Sequence, residues 1–150
     1  MILVGQDLEV AEWVASNIPH VREFEPWSTA IGVLDRKGIN LIAGMVYHDY
    51  QPEAGTIQLS MAAITPMWAR KNVIHQLLAY PFEDVGVYKV WTATPAHNSA
   101  ALKVNKKVGM KQEAILGHHF GHKTHCVINR MLLPDYERIY GRLSRKAAEA

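Results

Sequence analysis

Four histidines, His118, His119, His122 and His125, fall within eight residues, beside Gly117 and Gly121. Imidazoles in that number would suit zinc or nickel. A metal site also needs side chains that converge, and successive residues of a hairpin loop do not share a face as two histidines at i and i+4 of a helix do. No Cys-x-x-Cys and no His-Glu-x-x-His spacing accompanies the run, so it reads as a polar loop and no metal is expected. The lone cysteine, Cys126, excludes an internal disulfide framework and suits a reducing compartment. Neither feature names a reaction.

The elements that must position any chemistry follow from composition and period. The chain has 150 residues, 49% of them hydrophobic and 20% charged, which fits one globular domain over residues 1–150 and is too apolar for a disordered chain. Sixteen Lys+Arg against 14 Asp+Glu leave a net charge of +2, too small to point to nucleic acid. No apolar run reaches the ~18 residues of a membrane span, and the start MILVGQDLEV has no basic leader region; a cytoplasmic protein is expected.

Met1–Val4 reads as a first strand, and Asp7–Ile18 as a helix on Leu8, Ala11, Val14 and Ile18 with Asp7 as N-cap. Residues 19–28 are an irregular loop. Thr29–Asp35, Ile39–Tyr47 and Thr56–Ile64 form an antiparallel meander. A helix on Val73, Ile74, Leu77 and Leu78 opens after Pro66 and should bend or stop at Pro81. Val87–Thr94 reads as a buried strand, and Asn98 starts a helix on Ala101, Val104 and Val108 that Gly109 ends. Met110–Leu116 and Cys126–Leu133 are two strands around the histidine loop. An amphipathic helix, 135–147, follows Pro134; packing on its own domain is its default, and a homodimer partner is the other surface it could dock on. The order β-α-βββ-α-β-α-ββ-α describes an α+β domain with a mixed sheet of about seven strands. The strand–helix–strand portion at residues 56–96 should make parallel neighbours.

This order and three local strings resemble the GNAT superfamily of acyl-CoA-dependent N-acyltransferases, over roughly residues 29–133. The first string is Asn98-Ser99-Ala100-Ala101 leading to Lys107-Val108-Gly109-Met110, with the family's spacing kept and its Phe replaced by Met. The second, Leu77 to Gly86 followed by Val87-Tyr88-Lys89-Val90, is similar to the branch acting on protein N-termini, ribosomal proteins among them, and to phage-encoded relatives. The third joins Gln112-Glu113-Ala114 to Asn129-Arg130-Met131.

The resemblance implies a sheet splayed between its fourth and fifth strands, residues 56–64 and 87–94, with the pantetheine arm of acetyl-CoA in the gap. It implies that the backbone of Ala62, Ala63 and Ile64 pairs with that arm and holds the oxyanion, that Asn98 and Ala101 contact it, and that the pyrophosphate sits at the next helix N-terminus. Partners would be an acyl-CoA and an amine acceptor, peptide or small molecule, with no nucleic acid and no membrane. The acid position falls on Asn105 and the base positions on Gln58 and Ser60, all weak for those roles. Glu23, Glu25, Asp49 and His48 flank the implied acceptor cleft, and the sequence selects none of them.

One segment departs from the family. Its phosphate loop carries glycines, yet this chain has none between Gly55 and Gly86. The loop falls on Thr65–Arg70 counted back from Tyr80, or on Ala69–Ile74 counted forward from Pro66. Arg70 and Lys71 either replace the missing amide cradle by charge or stand solvated in the first turn of a helix. Trp68 reads as a core or lid aromatic. Two functions follow: an N-acetyltransferase acting by direct attack of a neutral amine, or a GNAT-fold binding or assembly protein without turnover.

Overall fold

The computed structural model describes residues 1–149. The chain runs β1 (Ile2–Leu3), α1 (Asp7–Ser16), β2 (Thr29–Leu34), β3 (Leu41–Gln51), β4 (Thr56–Ala63), α2 (Lys71–Ala79), β5 (Lys89–Pro95), α3 (Ser99–Val108), β6 (Lys111–Leu116), β7 (Cys126–Leu132) and α4 (Leu133–Glu149). This is the expected α+β order. The seven strands form one sheet, β1-β2-β3-β4-β5-β7-β6, in which only β4 and β5 are parallel.

Two apolar layers cover the sheet. On one face α1 presses Val10, Ala11 and Val14 against Ala30, Val46 and Ala62. It lies close because β3 offers Gly44: a Cβ there would meet Val14 Cγ2 at 2.7 Å. The other face carries the larger core, where Ile57, Leu59, Val90 and Met131 of the sheet meet Leu77 and Leu78 of α2, Val108 of α3 and Tyr136 and Tyr140 of α4. Tyr47 carries the meander into this core, and its hydroxyl donates to Leu77 C=O at 2.5 Å. Cys126 is fully buried at the start of β7.

Three local expectations are corrected, and a fourth is refined. Asp7 is not the cap of α1; that place falls on Gln6, and Asp7 Oδ1 instead accepts the Ala30 N–H at 3.1 Å, tying helix to sheet. β3 runs past Tyr47 to Gln51, with Asp49 at φ 49° in a break of register against β4. Between Pro66 and α2 lies a separate 3-10 turn, Pro66–Trp68. Finally, the regular helix does stop beside Pro81, α2 ending at Ala79, but the turns themselves continue. The helix widens into a π turn, Tyr80–Val85, and ends at Gly86 in the left-handed region. A wider turn accommodates a residue that lacks an N–H and whose ring crowds the preceding turn.

Candidate active site

β4 and β5 pair only through Thr56–Lys89, Ile57–Val90 and Gln58–Trp91, although β4 continues to Ala63 and β5 to Pro95. Beyond Gln58 the two strands part, and the implied gap is present. The ladder to β3 decides which groups face it. Ile64 N–H bonds Ile42 C=O at 3.0 Å, so the even residues of β4 turn their backbone to β3. Met61 and Ala63 turn theirs into the gap. Of the three residues carried over, Ala63 alone presents its backbone there. The backbones of Ala62 and Ile64 are engaged with β3, and the Ala62 side chain is buried under α1.

The loop after β4 closes on itself. Met67 N–H donates to Thr65 Oγ1, Ala69 N–H to Pro66 C=O and Arg70 N–H to Trp68 C=O. These amides are unavailable to a phosphate. The free donors lie one turn on, at Lys71, Asn72 and Val73, ahead of the first helical bond from Ile74 N–H to Arg70 C=O. No acid sits in that first turn, and Arg70 and Lys71 stand beside it. Three free amides, a helix dipole and two cations match a pyrophosphate in charge and number of donors. Trp68, 5% exposed, packs into the core and lines an apolar cavity of about 40 Å³ with Leu59 and Met61 of β4 and Thr92 of β5. That space holds roughly one or two waters, so an arm entering the gap lies along the β4 backbone rather than inside it.

Asn98 caps α3: its Oδ1 accepts the Ala101 N–H at 3.2 Å. The Ala101 amide is thereby occupied, and the Asn98 carboxamide NH₂ remains available. Asn105 reaches across to β5, where its Nδ2 donates to Thr92 Oγ1 at 3.2 Å and Thr94 Oγ1 at 3.4 Å. With both N–H groups so placed, Asn105 has no proton to give to a leaving group, and its role there is to hold two threonine hydroxyls at the edge of the gap.

On the α1 face the sheet brings together a pair that spacing did not select. His48 on β3 stands opposite Gln58 and near Ser60 on β4, and His48 Nε2 lies 2.7 Å from Ser60 Oγ. Burial lowers the His48 pKa, and the carboxylates of Glu25 and Asp49 partly offset this. His48 is therefore neutral near pH 7 and able to take a proton. Phe24 packs on it with ring centroids 5.0 Å apart. Gln58 is on the same face. Alternation along β3 could have paired His48 with Ser60 only once the register to β4 was known.

The histidine loop makes its own hairpin tip: His118 N–H donates to His125 Nδ1 and Lys123 N–H to His118 Nδ1, both at 2.9 Å. Among the described residues no group of His, Cys, Asp or Glu is arranged to hold a metal ion. His20 and Phe120 stack at 4.4 Å, tying the loop after α1 to this hairpin.

No family model and no curated protein matches the sequence. Solved structures do. Spermidine/spermine N-acetyltransferase SpeG from Vibrio cholerae, in complex with manganese ions, superimposes with a TM-score of 0.71 at 14% identity, covering 92% of this chain and 95% of that one. A single-substitution variant of the same Vibrio cholerae spermidine N-acetyltransferase gives a TM-score of 0.62 at 18% identity, over 75% of this chain and 69% of that one. The fold is the GNAT fold. Its splayed pair corresponds to the parted β4 and β5, and identities this low carry architecture rather than substrate. In this chain the free backbone donors after β4 are the first amides of α2.

Proposed function

We propose that this chain is an N-acyltransferase that moves an acetyl group from acetyl-CoA to an amine of a peptide or small molecule. The observation that carries the reading is the parting of β4 and β5 after Gln58, which leaves the backbone of Met61 and Ala63 without a strand opposite. Those groups would pair with the amides of the pantetheine arm as an added strand does. The free amides of α2 with Arg70 and Lys71 would hold the pyrophosphate, and Asn98 would contact the arm through its NH₂ group.

Acetyl-CoA supplies the thioester carbonyl as electrophile. Attack of the neutral amine on that carbonyl would form the C–N bond and break the C–S bond, releasing the CoA thiolate. Neutral His48, in hydrogen-bond contact with Ser60, would accept the amine proton through the Ser60 hydroxyl, and that proton would pass by way of water to the thiolate. Gln58 would orient the acceptor, and Ala63 N–H, which faces the gap, would donate to the oxyanion. The strings at Leu77–Gly86 support the branch that acts on protein N-termini and its phage-encoded relatives, and the balanced composition supports a cytoplasmic single domain without nucleic-acid or membrane partners. A homodimer through the exposed side of α4 belongs to the same proposal. Among the described residues no helix is long and apolar enough to cross a membrane.

Thermal unfolding with acetyl-CoA tests the reading. At a concentration of about 100 times the dissociation constant, the folded state gains ~2.7 kcal/mol and melting moves up by several degrees. Arg70→Ala with Lys71→Ala should remove most of that shift. A second reading, a GNAT-fold binding protein without turnover, is favoured by the Trp68 side chain in the wedge and by the internally bonded loop. An unchanged melting temperature at millimolar acetyl-CoA would select it.

A further inference from the structure

The sheet register lays one row of side chains across five strands on the α1 face. His48 of β3 stands opposite Gln58 of β4, Gln58 pairs with Trp91 of β5, Trp91 with Arg130 of β7, and Arg130 with Lys111 of β6. Residues paired across a ladder share a face, so the row leads from the His48–Ser60 pair to a set of cations. α1 covers only the part of this face formed by β2, β3 and β4, through Ala30, Val46 and Ala62. The apolar contacts of α2, α3 and α4 belong to the core on the opposite face. Among the described residues no helix packs on this face from β5 to β6.

The uncovered part of the row carries two features that packing does not explain. Trp91 is half-buried and belongs to neither apolar core, whereas its neighbour Val90 is fully buried. An indole held in place on an uncovered face offers a surface for stacking. Beside it two cations share a single carboxylate. Lys89 Nζ donates to both Glu113 oxygens at 2.9 Å, and Arg130 Nε lies 3.3 Å from Glu113 Oε1. One carboxylate neutralises one of the two, so the cluster keeps a net positive charge. Among the described residues the terminal nitrogens of Arg130 have no hydrogen-bond or ion-pair partner, and its side chain is 27% exposed. Those nitrogens are the paired donors with which a guanidinium recognises a carboxylate. Lys111, at the end of the row, is drawn off to Asp135 at 3.6 Å.

We propose that this row is the binding surface for an acidic peptide acceptor. The peptide's N-terminal amine lies at Ser60, its backbone crosses β5 over Trp91, and a carboxylate of its second or third residue meets Arg130 and Lys89. The spacing agrees: from β4 to β7 is two strand steps, about 10 Å, and an extended peptide covers about 3.3 Å per residue. Arg130 and Lys89 then select the acceptor and take no part in the reaction itself. The inference rests on the acyl-transfer reading for the place of the amine, and on the row alone for the place of the carboxylate.

Fluorescence anisotropy on the full chain, without acetyl-CoA, tests the surface with two hexapeptides labelled at the C-terminus. Both begin with a serine bearing a free amine; one carries glutamate at its second and third positions and the other glutamine. The glutamate peptide should bind about tenfold more tightly at low salt, and the preference should shrink as salt is raised. Arg130→Gln should remove most of the preference. Glu113→Gln frees both cations and should tighten the glutamate peptide about threefold or more, whereas a merely structural ion pair predicts no gain. Trp91→Ala should weaken both peptides alike. No saturable binding of the glutamate peptide, equal affinity for the two, a preference that survives Arg130→Gln, or no gain in Glu113→Gln overturns the proposal. A retained preference with no melting shift from acetyl-CoA overturns the transferase reading alone, and a melting shift with no preference overturns this surface alone.

Discussion

Ser60 and His48 are held on neighbouring strands, so their 2.7 Å contact depends on the register of β3 against β4 rather than on any loop. If the pair carries the proton, His48→Gln and Ser60→Ala should each lower kcat by roughly 10²- to 10⁴-fold while leaving acetyl-CoA affinity near wild type. The pH dependence has a definite sign. Burial holds the His48 pKa below the ordinary imidazole value, so the neutral base persists on mild acidification and activity falls only below that lowered value. Glu25 pulls the value upward, so Glu25→Gln should move the acid limb of the kcat profile to still lower pH. A limb at the ordinary imidazole value or above would contradict this assignment. Asn98 and Gly109 were legible in the sequence because caps are local: each serves its own helix end. His48–Ser60 was not, because a cross-strand pair exists only after register is fixed. Gly109 also does more than its φ of 109° requires, since a Cβ there would lie 2.4 Å from Ile139 Cδ1 of α4. Gly109→Ala should therefore cost ~1–3 kcal/mol in chemical denaturation, from left-handed strain plus a shifted helix contact.

At the scale of elements, α4 joins polar anchors to the apolar packing of Tyr136 and Tyr140. Tyr136 and Ser144 both donate to the Glu83 carboxylate in the π turn, and His75 of α2 lies 2.7 Å from Ser144 Oγ. At its start, Asp135 accepts the Leu132 N–H and faces Lys111 and Arg138. Partial burial raises the Glu83 carboxyl, but bonds from Ser144 and Tyr136 outweigh it and the pKa ends lowered. For Asp135 burial again raises, and the Leu132 amide and Lys111 charge win. Both acids have folded pKa values below their unfolded ones, so they stabilise the domain above the unfolded values, and the contribution is lost as pH falls through the folded values. Acid titration followed by hydrogen exchange should show α4 amides losing protection before those of β3 and β7. Ser144→Ala should bring the same loss forward at neutral pH, at ~1–2 kcal/mol. The order of elements was legible because hydrophobic period switches between strand and helix along the chain. The π turn at Tyr80–Val85 was not, since the sequence shows Pro81 as a break, while the contacts that meet this turn, Phe82 packed 4.7 Å from Tyr136 and Glu83 bonded to Tyr136 and Ser144, come from α4, some fifty residues away.

For the whole molecule, the sheet topology explains why a gap opens where it does. The parallel pair β4–β5 joins two antiparallel halves, β1–β4 and β5–β7–β6, each with its own ladder. Two separately paired halves can twist apart at one end without breaking a hairpin, because no tight turn links β4 to β5. A crossover at residues 56–96 was readable from the sequence. How far Trp68 would fill the wedge was not, because a single aromatic with no periodic neighbours has no face assigned until the core closes around it.

One consequence follows from where Cys126 lies. Its side chain is sealed at the start of β7, opposite Pro95, and burial raises its pKa while the Thr94 backbone contact only partly opposes this. The native thiol is both unreachable and protonated at neutral pH, whereas the released chain exposes an ordinary one. Alkylation by a maleimide dye should therefore proceed only through opening of the β5–β7 ladder, making this single thiol an intrinsic clock for that event. The clock should slow when acetyl-CoA is added if the ligand binds the closed domain. A second cysteine introduced on an exposed site would react at once, and so could be labelled selectively without removing the first.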